Sequence, residues 1–191
     1  MVTVVLGAGK MGRAIAHAMR RLCDGVISLP RERGRNVIVV DRDEDMLREA
    51  LHFCDDAITG EIVDDNLADI LDTHQPDVVI SSLPYFANKE ASKIVIDKGI
   101  NWCDLGGRVD VSEWTNNYAE ENATARVFTD LGLAPGWANI MAEEGCRQIN
   151  RQVDNVEIAV GGLPAEDTGD NPLNYRVTWS VDGLINEYRD D

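Results

Sequence analysis

Short runs of β-branched and apolar residues recur along this chain, separated by stretches of helical composition and punctuated by Gly, Pro and Asp. Residues 2–6 (Val-Thr-Val-Val-Leu) read as a strand that breaks into Gly7-Ala8-Gly9-Lys10-Met11-Gly12, and the alanine-rich stretch 13–22 that follows reads as a helix. Residues 37–40 predict a second strand ending at Asp41, 58–63 a weaker third, and 77–80 a fourth that stops at Ser81-Ser82-Leu83-Pro84. Helices are predicted over 43–53, 65–73 and 86–98, the last ended by Gly99 as a C-terminal glycine. A strand at 100–103 runs into Asp104-Leu105-Gly106-Gly107, and a helix at 112–124 leads to a sixth strand at 125–129.

Strands alternating with helices predict a parallel sheet covered on both faces, because parallel neighbours need a crossover and crossovers are right-handed. The fold class is therefore α/β, a doubly wound parallel-sheet domain over 1–151. After a helix at 135–150 the alternation stops, with strands predicted at 156–160 and 175–180 around a loop at 163–172. Residues 152–191 read as the beginning of a small α+β domain. The polar stretch 24–36, with Arg31, Arg33 and Arg35, lengthens one connection beyond the usual few residues and reads as an exposed insertion.

The spacing of the first three glycines carries chemistry. The first permits a tight turn, the second lets the backbone approach a pyrophosphate, and the third lets helix pack on strand, so that phosphate meets a helix N-terminus. Ala8, Lys10 and Met11 complete that turn. Asp41 ends the second strand, where a carboxylate accepts hydrogen bonds from ribose hydroxyls; it lies 29 positions beyond Gly12 against the usual ~20, and the 24–36 insertion accounts for the excess. A carboxylate there repels a 2′-phosphate, whereas the adjacent Arg42 can stack on adenine or pair with that phosphate, so NAD is favoured over NADP without excluding it.

Every predicted strand ends in a polar or special group: Asp64 after the third, Ser81 to Pro84 after the fourth, Asp104 to Gly107 after the fifth, Asp130 after the sixth. In open α/β sheets that edge holds ligands. Asp104 and Asp130 can carry protons or balance an amine's charge; equally, they can cap the turns that follow them. His17, His52 and His74 lie in segments that give no histidine-based mechanism, and of the tryptophans only Trp137 and Trp179 fall in segments that could face a ligand.

A length of 191 residues suits one domain and part of another. The 44% hydrophobic content suffices to fold, with no apolar run near the ~18–20 residues of a membrane helix. The net charge of -16 opposes binding to nucleic acid or an anionic membrane surface. Cys23, Cys54, Cys103 and Cys146 are too scattered for a zinc site or disulfide framework, so no metal is expected. No secretion signal is evident, which makes a cytoplasmic location the expectation. Lys10, Lys89, Lys93 and Lys98 are the only lysines beside abundant Asp, a balance that fits either a salt-loaded cytoplasm or an ordinary acidic surface.

Four segments, VVLGAGKMGRAIA, VVISSLPYFANKEASKIVIDKGINWCDLGG, TDLGLAPGWANI and VGGLPAEDTGDNPLNYRVTWSVDGLINEY, resemble the saccharopine dehydrogenase-like family, including its L-lysine 6-dehydrogenase branch. The resemblance implies a Rossmann domain and NAD(P)-dependent chemistry at a C–N bond of a small amino acid, with saccharopine or lysine as substrate. By position, it implies that Gly7, Gly9, Gly12 and Asp41 hold the cofactor, Asp64 its adenine side, and Ser81, Leu83 and Pro84 its nicotinamide side. Asp104, Gly106, Gly107, Asp130, Pro135 and Gly136 would line the reaction cleft. Asn171, Pro172, Leu173, Tyr175 and Trp179 would approach from the substrate domain, with no assigned role. The chain stops at Asp191, short of most of that domain's sheet, so a homodimer or a partner chain is expected to cover the exposed strands. Binding of cofactor without turnover, and a split protein completed by a second chain, stand as competing readings.

Overall fold

A computed structural model describes residues 1–21, 36–62, 64–122, 125–149 and 151–161, with the isolated positions 164, 181, 185 and 189. The insertion expected at 24–36 lies almost wholly outside the described residues. Among the described residues twelve elements follow in order: β1 (Val2–Leu6), α1 (Lys10–Arg21), β2 (Asn36–Asp41), α2 (Glu44–Ala50), β3 (Asp56–Thr59), α3 (Asp64–His74), β4 (Val78–Ser81), α4 (Tyr85–Asp97), β5 (Asn101–Asp104), α5 (Val109–Asn122), β6 (Val127–Phe128) and α6 (Trp137–Ile149).

The six strands are parallel and stand in the order β3-β2-β1-β4-β5-β6. This is the doubly wound arrangement expected from the alternating pattern. Its order reverses at β1, so the gap between β1 and β4 is the topological switch point where such sheets bind ligands. Val4 to Leu6 and Val37 to Val40 are fully buried, which a sheet covered on both faces requires of its central strands. Each such Val or Leu contributes about 1.5–3 kcal/mol. One core joins Val4, Leu6, Ile38 and Val40 to Leu67, Ile70 and Leu71 of α3 and Ala91 and Val95 of α4. The other joins Val5, Val37 and Val39 to Ala16 of α1 and Leu47 and Ala50 of α2.

Several ends differ from expectation. β3 covers Asp56–Thr59 instead of 58–63, because its ladder with β2 runs from Ile38↔Asp56 to Asp41↔Thr59 and stops where β2 does. α1 begins at Lys10, inside the glycine turn, since Gly12 lets the helix start against the strand. α2 is shorter than 43–53, its Asp43 serving as N-cap by accepting from the Asp45 and Met46 N–H groups. Gly99 ends α4 with φ +69 and donates to Ile96 O, as the sequence predicts.

The chain divides into two units, Met1–Gly132 and Leu133–Asp191. The second contains α6, followed by residues 151–161 without regular structure. The strand expected at 156–160 is absent: among the described residues no neighbour pairs with it, and a strand exists only through a partner's N–H and C=O groups. Its proposed companion at 175–180 lies outside the described residues. No helix among the described residues is long and apolar enough to cross a membrane.

Candidate functional site

At the carboxyl edge of β1 the chain turns at Gly7, whose φ is +94 and whose N–H donates to Val40 O at 2.8 Å. The Ser82 hydroxyl donates to Leu6 O at 2.9 Å and braces the turn from the β4 side. A Cβ on Gly7 would come within 2.8 Å of Ser82 Oγ, and one on Gly12 would overlap the Gly7 carbonyl oxygen. These two glycines are therefore dictated by close approach of backbone to backbone. Gly9 is different, for a Cβ there would meet nothing within 4 Å. The missing side chain leaves open surface over exposed Gly9, Lys10 and Met11. α1 has no acidic residue in its first turn, so its N-terminal positive end is free to receive an anion.

Asp41 stands beside that turn. Its Oδ2 accepts from the Ala8 N–H at 2.6 Å and its Oδ1 from the Asp43 N–H at 2.9 Å, while its backbone carbonyl accepts from Gly60 N–H at 3.0 Å. Each carboxylate oxygen retains a lone-pair direction for a ligand hydroxyl. Arg42 next to it is exposed, and Asp64 opens α3 just beyond β3.

After β4, the buried Ser81 hydroxyl donates to Asn88 Oδ1 at 2.7 Å and accepts from the Leu83 N–H at 3.3 Å. Ser81 thus braces the turn internally, while half-buried Leu83 and exposed Pro84 form its outer surface.

Asp104 is only 3% exposed. Its Oδ2 accepts from Trp102 Nε1 at 2.8 Å, and its Oδ1 from the Gly106 N–H at 2.8 Å and the Asp130 N–H at 3.2 Å. Three protein donors on one carboxylate make it a clasp between the segments after β5 and β6, and of these only the Gly106 N–H belongs to the turn that follows Asp104. The half-buried Asp130 has φ +60 and accepts from the Ser112 hydroxyl at 2.9 Å. Gly106, at φ +79, has room for no Cβ, which would overlap the Asp130 carboxylate; a Cβ on Gly107 would come within 2.8 Å of Tyr85 Cβ. Burial, and then the Asp104 charge, push the Cys103 thiol above its ordinary value.

The first unit therefore brings Gly7 to Gly12, Asp41, Ser81 to Pro84, Asp104 to Gly107 and Asp130 to one edge of one sheet. Pro135 and Gly136 belong to the second unit, at the turn into α6, where the Gly136 N–H donates to Asn139 Oδ1 at 3.0 Å. Trp137 opens α6 and is exposed. Asn171, Tyr175 and Trp179 lie outside the described residues. Sequence reasoning placed Ser82 at the ligand edge without a role of its own, overlooked Asn88 and Ser112, and treated Trp102 as packing. Ser82 carries a signal as a polar residue just after β4, whereas Asn88 and Ser112, in the first turns of α4 and α5, carry none that points to the site.

Comparison with known proteins gives matches along most of the chain. Residues 3–129 match the model of the saccharopine dehydrogenase NADP binding domain, and residues 132–191 that of the saccharopine dehydrogenase C-terminal domain. Mitochondrial alpha-aminoadipic semialdehyde synthase of Rattus norvegicus is 30% identical over 112 residues, 57% of this chain and 12% of that protein. Saccharopine dehydrogenase [NADP(+), L-glutamate-forming] of Saccharomyces cerevisiae is 28% identical over 134 residues, 68% of this chain and 29% of that protein. The apo structure of the L-Glu-forming saccharopine dehydrogenase from Saccharomyces cerevisiae superposes with a TM-score of 0.63 at 22% identity, covering 96% of this chain and 40% of that one, a likeness of fold. The chain thus spans well under half the length of these relatives. With a family model matched across the sheet and a second across the remainder, the chain belongs to the saccharopine dehydrogenase family and carries its NADP-binding domain.

Proposed function

We propose that this chain binds NAD or NADP along the carboxyl edge of the sheet, as the cofactor-binding part of an oxidoreductase acting at a C–N bond of a lysine-like amino acid. The observation that carries this reading is the open glycine turn at the switch point, joined through Ala8 to a carboxylate at the end of β2. The bound nicotinamide would supply hydride transfer. The backbone N–H groups of Gly9 to Gly12 would hold the pyrophosphate, and Asp41 the adenosine ribose. Leu83 and Pro84 would support the nicotinamide side, and Gly106 and Gly107 would keep that wall free of side chains. Asp130 is the better placed of the two candidate acids to exchange a proton with substrate, because the Asp104 carboxylate already takes three internal hydrogen bonds.

The test is titration of the full chain with NADH and NADPH, followed by tryptophan fluorescence, and then NAD(P) reduction in the presence of saccharopine, lysine and related diamino acids. Substrate-dependent reduction supports the whole reading. Binding without turnover retains the cofactor site and overturns catalysis by this chain alone. A folded sample that binds neither cofactor overturns both. We also propose that a second copy or a partner chain covers the second unit, where Trp137, Ile140, Val156, Ile158 and Val160 are each about half exposed or more. Native mass of a lone monomer at working concentration, unchanged by added lysate, would count against this.

A further inference from the structure

We infer that Asp41 makes this chain select NAD over NADP, against the cofactor in the name of the domain it matches. This rests on the dinucleotide reading above and concerns the adenosine end of the same site. NADP differs from NAD by a 2′-phosphate on the ribose that the end of β2 would receive, so the charge and mobility of the groups there decide between them.

Asp41 cannot swing out of the way. Its two oxygens are held separately by the Ala8 and Asp43 N–H groups at 2.6 and 2.9 Å, and both are charge-assisted hydrogen bonds. Ala8 is fully buried, so a rotated Asp41 would leave the Ala8 N–H without a partner. The carboxylate is therefore built into the glycine turn, at the place where a ribose would be received.

Among the described residues, the α2 side of the site adds no net positive charge. The first N–H groups of α2 are taken by the Asp43 side chain, and Glu44 and Asp45 add negative charge to the same turn. Arg48 is drawn to Asp45 at 2.5 Å and Glu44 at 3.9 Å. Among the described residues, that leaves Arg42, exposed and screened by water, as the guanidinium next in sequence to Asp41, with Asp43, Glu44 and Asp45 following it.

The experiment is a fluorescence or calorimetric titration of the full chain with NADH and with NADPH, repeated on Asp41→Asn. Two phosphate charges against one carboxylate predict NADH binding at least about tenfold tighter than NADPH. In Asp41→Asn the amide oxygen still accepts from the Ala8 N–H, the exposed Asp43 N–H turns to water, and the preference falls toward unity as NADPH binding improves. Equal or tighter binding of NADPH by the unaltered chain overturns the inference while leaving the dinucleotide reading intact, and so does an unchanged ratio in folded Asp41→Asn. Binding of neither cofactor overturns the dinucleotide reading, and the inference with it.

Discussion

Thr3 lies fully buried in β1, and its hydroxyl has no hydrogen-bond partner among the described residues. Thr3→Val keeps the shape and removes the unsatisfied group, so it should raise the midpoint of urea unfolding by the equivalent of about 1 kcal/mol. Asp104 is the opposite case. Asp104→Asn turns an acceptor among three donors into a group that must present an N–H to at least one of them, and should destabilise the first unit by about 1–3 kcal/mol in the same assay. Thiols give a pH signature. Burial is the main cause that raises both Cys54 and Cys103 above their ordinary 9.0. A folded value above the unfolded one means their contribution is fully present below about pH 9 and is lost as pH rises through the folded values. Stability should decline above that pH, and slow thiol alkylation in the folded chain should become fast in urea.

At the scale of elements, the β1–α1 junction separates two jobs of glycine. Gly12→Ala would drive a methyl into the Gly7 carbonyl oxygen, so we expect a loss of about 3 kcal/mol or more together with weaker cofactor binding. Gly9→Ala meets open space, so stability should change by less than about 1 kcal/mol while cofactor affinity falls at least about tenfold, because the methyl occupies the surface a pyrophosphate would approach. Unfolding curves and NADH titrations on both variants check the pair; equal effects on binding and on stability in each would remove the distinction. The glycine spacing was readable from sequence because turn chemistry is local. The bracing of Gly7 by Ser82 was not, because the two are 75 positions apart and meet only when β4 docks beside β1.

Across the whole molecule, the net charge of -16 sets a self-repulsion that ions screen. Thermal midpoints should rise from low to molar salt, and a flat dependence would reject adaptation to a salt-loaded interior as the reason for the acidic, lysine-poor composition. The same field bears on ligands, since any anionic cofactor would approach against it and would depend on local donors such as the N-terminus of α1.

The β-branched runs, the glycine turn and the acid at the end of β2 determined, by themselves, a doubly wound parallel sheet with a dinucleotide-type edge, because strand period, turn geometry and helix starts depend on neighbours in sequence. Tertiary structure decided the rest. β3 lies at Asp56–Thr59 because its limits are set by the ladder with β2, and residues 156–160 have no regular structure despite their strand-like composition. Asp104 and Asp130 looked alike as strand-end acids. Only packing showed that one is spent on Trp102, Gly106 and the Asp130 backbone while the other keeps a half-exposed carboxylate, since a buried acid's chemistry is fixed by the donors that folding brings to it.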